Sequence, residues 1–224
     1  MNGPLVFVHT VPPLVDIFTR LAAQMLPGVV SKHILDEPLL EMVRQRGRLD
    51  EEDVKRLKGH VIMAEAIGAR AVLVTCSTIS PLVDQVRPAV SFKIEKIDDA
   101  MIEAAVTTGQ RIGVLATNPT TLAPTHLLLQ ERSQKLGRDI IISELLIPGA
   151  LDALLSGDGE THDRLLRSAI AAIGSRVDVV VLAQASMARV MDVMETKERI
   201  VKVLSSPYLA LERIRTYFTQ DKTE

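Results

Sequence analysis

Val72-Leu73-Val74-Thr75-Cys76-Ser77-Thr78-Ile79 is an apolar, largely β-branched run that breaks into hydroxyl-bearing residues, with the chain's one cysteine at the break. A short apolar run without alternation predicts a strand denied water on both faces, as in a parallel sheet covered by helices. The segment has a counterpart 108 positions later, Val180-Val181-Leu182-Ala183-Gln184-Ala185-Ser186-Met187, which sets Gln184 at the place of Cys76. Further runs of the same kind are Leu5-Val6-Phe7-Val8, Ala71-Val72-Leu73-Val74, Ile112-Gly113-Val114-Leu115, Ile140-Ile141-Ile142 and Val179-Val180-Val181-Leu182.

Between the runs lie helical patterns. Asp50 suits an N-cap, Glu51, Glu52 and Asp53 fill a first turn, and Val54, Leu57, Val61 and Glu65 follow one stripe before Gly68. From Thr161, read as a cap, Leu165, Ala169 and Ile173 point inward and Gly174 ends the helix. Strand and helix in alternation predict βαβ units.

The two halves echo one another. Thr10-Val11-Pro12 corresponds to Thr117-Asn118-Pro119 at an offset of 107, and Gly68 to Gly174 at 106. Asp98 and Asp99 open a helix through Ala105, at the place where Ser206 and Pro207 open the last one. Several matches near one offset indicate an internal duplication. The expected fold is therefore α/β with two pseudo-symmetric lobes, each a four-stranded parallel sheet flanked by helices. Residues 1–104 with 206–224 form the first lobe and 105–205 the second, with a cleft between them. Ligands of open parallel sheets bind beyond the carboxyl ends of the strands. Loops 9–13, 76–80, 117–121 and 184–187 are thus expected to line a common pocket.

Composition narrows the function. The 224 residues are 47% hydrophobic and 24% charged, ordinary for a globular protein. Net charge is −2 and the basic residues are scattered, which argues against nucleic acid or an anionic membrane as partner. No apolar run approaches the roughly 20 residues of a membrane span. Met1-Asn2-Gly3-Pro4 lacks a basic stretch and an h-region, so no signal peptide is read and cytoplasm is expected. One cysteine excludes a disulfide within the chain and a cysteine-based zinc site. His33, His60, His126 and His162 show no metal-ligand spacing; surface or capping roles are expected for them, and no metal site is assigned. The acidic loop Ser156-Gly157-Asp158-Gly159-Glu160 is weak ground for calcium. Neither G-x-x-x-x-G-K-[ST] nor G-x-G-x-x-G occurs, so nucleotide phosphates lack their usual cradle.

Cys76 carries the chemistry, if any is present. At a strand end before a helix start, its thiol would meet backbone N–H groups and the positive end of a helix dipole, which favour thiolate. The competing reading is a small hydrophobe packed in the core. Thr75, Ser77, Thr78, Thr117, Asn118, Thr120 and Thr121 offer neutral donors suited to a carboxylate, or else serve as helix caps. His9 either contacts a substrate group or is a structural hydrogen-bonder.

Val74-Thr75-Cys76-Ser77-Thr78, Arg111-Ile112-Gly113-Val114-Leu115-Ala116-Thr117, Val181-Leu182-Ala183-Gln184-Ala185-Ser186-Met187 and Val203-Leu204-Ser205-Ser206-Pro207 together resemble the aspartate/glutamate/hydantoin racemase superfamily over nearly the whole chain. The resemblance implies a cofactor-independent, pseudo-symmetric α/β enzyme in which two cysteines flank the substrate. One thiolate takes the proton α to a carboxylate and the other thiol returns one to the opposite face. It also implies a homo-oligomer, dimer or larger. Here the second cysteine is replaced by Gln184, whose amide does not titrate in water. Ser186 is a poor proton donor to a carbanion.

Three readings are open. In the first, a racemase-type isomerase or lyase acts on one face of a small carboxylate-bearing substrate, with Cys76 as single acid/base. His9, Thr10, Ser77, Thr78, Thr117, Asn118, Thr120 and Thr121 then bind substrate, and Gln184, Ala185 and Ser186 form the far wall. The second is a decarboxylase or cis-trans isomerase of a small dicarboxylate using Cys76. The third is a non-catalytic carboxylate binder.

Overall fold

The computed structural model describes residues 3–198 and 200–219. The ends of the first lobe as read from sequence, at 1 and 224, lie outside the described residues, as do Met1 and Asn2 of the stretch read for a signal peptide. The chain divides into two compact units: the residues through Ile97 with those from Pro207, and Asp98–Ser206.

In the first unit, β1 (Leu5–His9) is buried along its whole length. It is followed by α1 (Pro13–Met25), β2 (Ser31–Leu35), α2 (Glu37–Arg46), α3 (Glu51–Ala66), β3 (Ala71–Val74), α4 (Val83–Val86) and β4 (Lys93–Lys96). All pairings are parallel, in the order β2-β1-β3-β4. Phe7 lies in register with His33 on one side and Leu73 on the other.

Asp50 caps α3 in a reciprocal box with Asp53, as its position before an acidic turn predicts. The inward stripe is Asp53, Leu57, Val61 and Ala64, one position away from the expected Val54 and Glu65. Asp53 is tolerated there because Arg46 meets both its oxygens at 2.7 and 2.6 Å. Gly68, at φ +72°, takes the left-handed turn after the helix that a side chain would resist.

The second unit repeats the plan with α5 (Asp99–Thr108), β5 (Arg111–Ala116), α6 (Pro119–Lys135), β6 (Ile141–Leu146), α7 (Ala150–Leu155), α8 (Gly159–Gly174), β7 (Val179–Leu182), α9 (Val190–Val193) and β8 (Lys202–Ser205). Its order, β6-β5-β7-β8, matches that of the first sheet strand for strand. The last helix, α10 (Ser206–Thr219), joins the first unit from Pro207 on. α5, which the sequence boundary at 104/105 would divide, lies whole in the second unit.

The core of this unit is built from Leu115, Leu166, Ile170, Ile173, Val180 and Leu182 among others. Each such side chain contributes roughly 1.5–3 kcal/mol on burial. Gly113 in β5 packs closely under the helix side: a Cβ there would meet Ile173 at 3.0 Å and Val177 at 3.3 Å, so both would have to give by a few tenths of an ångström.

Three sequence expectations are corrected here. Asp158, not Thr161, caps α8, accepting from the Thr161 N–H at 3.0 Å, and the inward position is Leu166 in place of Leu165. Ile140-Ile141-Ile142 is not a doubly covered strand. β6 starts at Ile141 and is an edge strand with Ile141 65% exposed. Its edge position leaves one side and much of its faces in contact with water, which the apolar triplet does not reveal.

Candidate active site

The carboxyl ends of the inner strands β1 and β3 carry the first group of residues. His9 ends β1 and Thr10 comes next; Thr75 and Cys76 come directly after β3. The Thr75 N–H donates to the Val8 carbonyl at 3.0 Å, so pairing runs one residue past the strand and fixes the backbone before the thiol. Cys76 is 8% exposed. Its carbonyl accepts from the N–H groups of Ile79 and Ser80 at 3.2 and 3.0 Å, closing a turn over Ser77 and Thr78, both buried.

That turn leads into a three-residue 3₁₀ segment, Ser80–Leu82, and then the four residues of α4. A further 3₁₀ turn, Arg87–Ala89, follows without a break, so helical backbone runs from Ser80 to Ala89.

His9 is fully buried and both ring nitrogens already have protein partners: Nδ1 lies 2.8 Å from Thr75 Oγ1 and Nε2 2.9 Å from His33 Nδ1. Burial, with the neighbouring His33 adding to it, pushes its pKa down to about 3, so the ring is neutral at physiological pH. With neither nitrogen left to offer, its place is structural. The hydroxyls of Thr10 and Ser80, by contrast, are buried without any hydrogen-bond partner. An orphaned buried hydroxyl is destabilising by about 1–3 kcal/mol, which a ligand atom would relieve. Ser80 lies in the 76–80 loop expected to line the pocket but is not among the binding residues read from sequence; a serine after Thr-Ile in a turn gives no signal of its own.

The second unit places Thr117 after β5 and Gln184 after β7. Thr117 donates from its backbone N–H and from its hydroxyl to Gln184 Oε1, at 2.6 and 3.0 Å. A backbone N–H can only donate, so the atom it meets must be the amide oxygen, and the NH₂ group is turned away. Gln184, half-buried, therefore presents a hydrogen-bond donor. Asn118 caps α6, its side-chain oxygen accepting from the Thr120 N–H at 3.2 Å, and the Thr121 N–H bonds the Asn118 carbonyl. Thr120 is half-buried and Thr121 fully buried. Ala185 and Ser186 are buried in the 3₁₀ turn after Gln184.

The remaining histidines do not join either group. His60 in α3 lies 2.6 Å from Asp36, and His126 in α6 lies 2.6 Å from Glu144. His162 is fully buried in α8, against the surface role expected for it, and burial lowers its pKa. Asp158 of the 156–160 loop acts as a helix cap. Among the described residues no group of three or more His, Cys, Asp or Glu side chains could hold a metal ion, and no helix is long and apolar enough to cross a membrane.

Two four-stranded parallel units of one topology, with neutral donors and a thiol at the strand ends, define a duplicated α/β protein. Its relatives make the class specific. The model of the Asp/Glu/Hydantoin racemase family matches residues 14–213, and the chain belongs to that family. It is a racemase-type isomerase by membership. Among solved structures it is similar to glutamate racemase isoform RacE1 of Bacillus anthracis (TM-score 0.72, 14% identity, 99% of this chain and 83% of that one). It is also similar to the aspartate racemase of Picrophilus torridus (0.72, 14%, 96% and 95%) and the allantoin racemase of Klebsiella pneumoniae (0.70, 13%, 98% and 89%). At such identities these structures speak for the fold. No curated protein matches the sequence.

Proposed function

We propose that the protein carries out acid/base chemistry at the carbon α to a carboxylate of a small acid or amino-acid-like substrate, with Cys76 as its one thiol and proton transfer on one face. The observation that carries this reading is Gln184. It corresponds to the family's second thiol in the sequence repeat, and Thr117 holds its carboxamide by the oxygen, which leaves the NH₂ as a donor. An amide can stabilise a carboxylate or a developing enediolate by donating, but it cannot deliver a proton. Thr10, Ser80, Ser77 and Thr78 add neutral donors around the thiol.

Incubation in D₂O with amino acids, hydantoins and substituted malonates tests the proposal. The expected result is α-proton exchange with retention, or loss of CO₂ to one enantiomer. Accumulation of both enantiomers would overturn the role given to Gln184. A non-catalytic carboxylate binder is favoured by one observation, the burial of Cys76, which is only 8% exposed. In that case Cys76→Ala leaves binding of a small dicarboxylate intact, and iodoacetamide alkylation has its midpoint near the ordinary thiol value of about 8.5.

A further inference from the structure

A series of polar contacts runs through the first unit from the residue before Cys76 to the surface. Thr75 Oγ1 lies 3.0 Å from the Val8 carbonyl oxygen and 2.8 Å from His9 Nδ1. His9 Nε2 lies 2.9 Å from His33 Nδ1, and His33 Nε2 lies 3.1 Å from Thr19 Oγ1. Thr19 Oγ1 lies 2.7 Å from the Val15 carbonyl oxygen. The two imidazoles are nearly coplanar, at 15°, and are packed by Phe7 and Phe18. They cannot easily swing out of line.

Counting hydrogens gives this series its meaning. It contains five contacts, and each needs one hydrogen. Two hydroxyls and two neutral imidazoles supply four. The neutral series is therefore one hydrogen short. The gap can fall at any of the five contacts; where it falls at the Val8 end the Thr75 hydroxyl points back to His9, and elsewhere it points to Val8. One added proton, on His33, completes all five contacts. His33 then donates to His9 and to Thr19, His9 donates to Thr75, and Thr75 is held on the Val8 carbonyl.

We propose that His33, with Thr19 behind it, is a positioning residue that acts through His9 on Thr75 and so on the adjacent thiol, the two imidazoles holding one exchangeable proton between them. The proposal rests on Cys76 being the reactive group. His33 is the member that takes the charge, because it is half-buried whereas His9 is fully buried. Burial lowers the pKa of His33 and Asp16, on α1 one turn before Thr19, opposes that fall. The other groups facing the pair, Phe7, Phe18 and Thr75, are uncharged. Asp36, whose N–H bonds the His9 carbonyl, has its carboxylate on Arg56 and His60.

Imidazole ¹⁵N titration of the full chain, paired with the rate of Cys76 alkylation by iodoacetamide across the same pH range, tests this. The expected result is one shared titration of both rings below 6.5. Across that midpoint the alkylation rate falls less than tenfold per pH unit, because the added positive charge favours thiolate. In Thr19→Val, an exposed change that removes an acceptor of the charged ring, both features move to lower pH; in His33→Gln the slope returns to tenfold per unit. Two independent ring titrations, no ring titration before the chain unfolds, or a tenfold slope throughout in the unaltered protein would each overturn the proposal. If the shared titration and the slope are found but Cys76→Ser keeps full exchange activity, the functional reading fails and the proton site stands.

Discussion

Thr117 offers two hydrogens to a single oxygen of Gln184, so the amide NH₂ of Gln184 is left as a donor at the strand end of the second unit. The two strand ends then carry different groups, a thiol at Cys76 and a carboxamide at Gln184. A thiol can exchange a proton with solvent; a carboxamide at neutral pH cannot. Cys76→Ser is expected to slow α-proton exchange by about 10²–10⁴-fold, the usual contribution of one general acid/base, as measured by mass increase in D₂O. Gln184→Cys should supply the missing proton donor. Chiral chromatography is expected to show both enantiomers from the variant and one from the unaltered protein. Should the variant give no racemic product while remaining folded, the equivalence of the two positions is wrong.

Elements here owe their stability to different sources, and substitutions should separate them. The N-terminus of α3 is held by the Asp50–Asp53 box. Asp50→Ala is expected to be destabilising by about 1 kcal/mol, a fall of roughly 2–4 °C in Tm for a chain of this size, read by thermal circular dichroism. β6 and β7 give the opposite comparison. Leu182 is fully buried in β7, and Leu182→Ala should be destabilising by about 2–5 kcal/mol. Ile141 lies exposed on the edge strand, so Ile141→Lys should change stability by no more than about 0.5 kcal/mol in urea unfolding. A large effect at Ile141 would mean that this edge is covered in solution.

For the molecule as a whole, buried histidines govern the acid limb of stability. His9, His33 and His162 all have pKa values lowered by burial, His9 to about 3. The unfolded chain binds protons at these rings from about 6.5 downward, whereas the folded chain resists them, so stability falls as pH drops below 6.5. Asp36 adds a second phase. Burial raises its pKa, but hydrogen bonds from Arg56, His60 and the Leu39 N–H outweigh that and bring it below 3.8. Its contribution is present above 3.8 and is lost as pH falls through the lowered folded value. Tm measured from neutral pH to about pH 3 should therefore decline first in the histidine range and again in the carboxylate range. His162→Leu is expected to flatten the first decline; an unchanged slope would show that His162 is protonated in the fold.

The duplicated parallel architecture was legible in the chain because β1, β3, β5 and β7 are covered on both faces, which demands an uninterrupted apolar run whatever their neighbours are. The candidate residues were legible for a related reason: loops after parallel strands are the one place where such a sheet leaves polar backbone to meet a ligand. The edge strands β2, β4 and β8, with Lys32, Lys93 and Lys202, were not, since a half-wet strand reads like a loop. Nor could the sequence announce the partners of its polar groups. Thr117 and Gln184 are 67 positions apart and His9 and His33 are 24 apart. They meet through the parallel pairing of β5 with β7 and of β1 with β2. Residue types and their strand ends come from local pattern; which way an amide turns, and whether an imidazole faces substrate or another imidazole, comes from contacts that exist only once the sheets have closed.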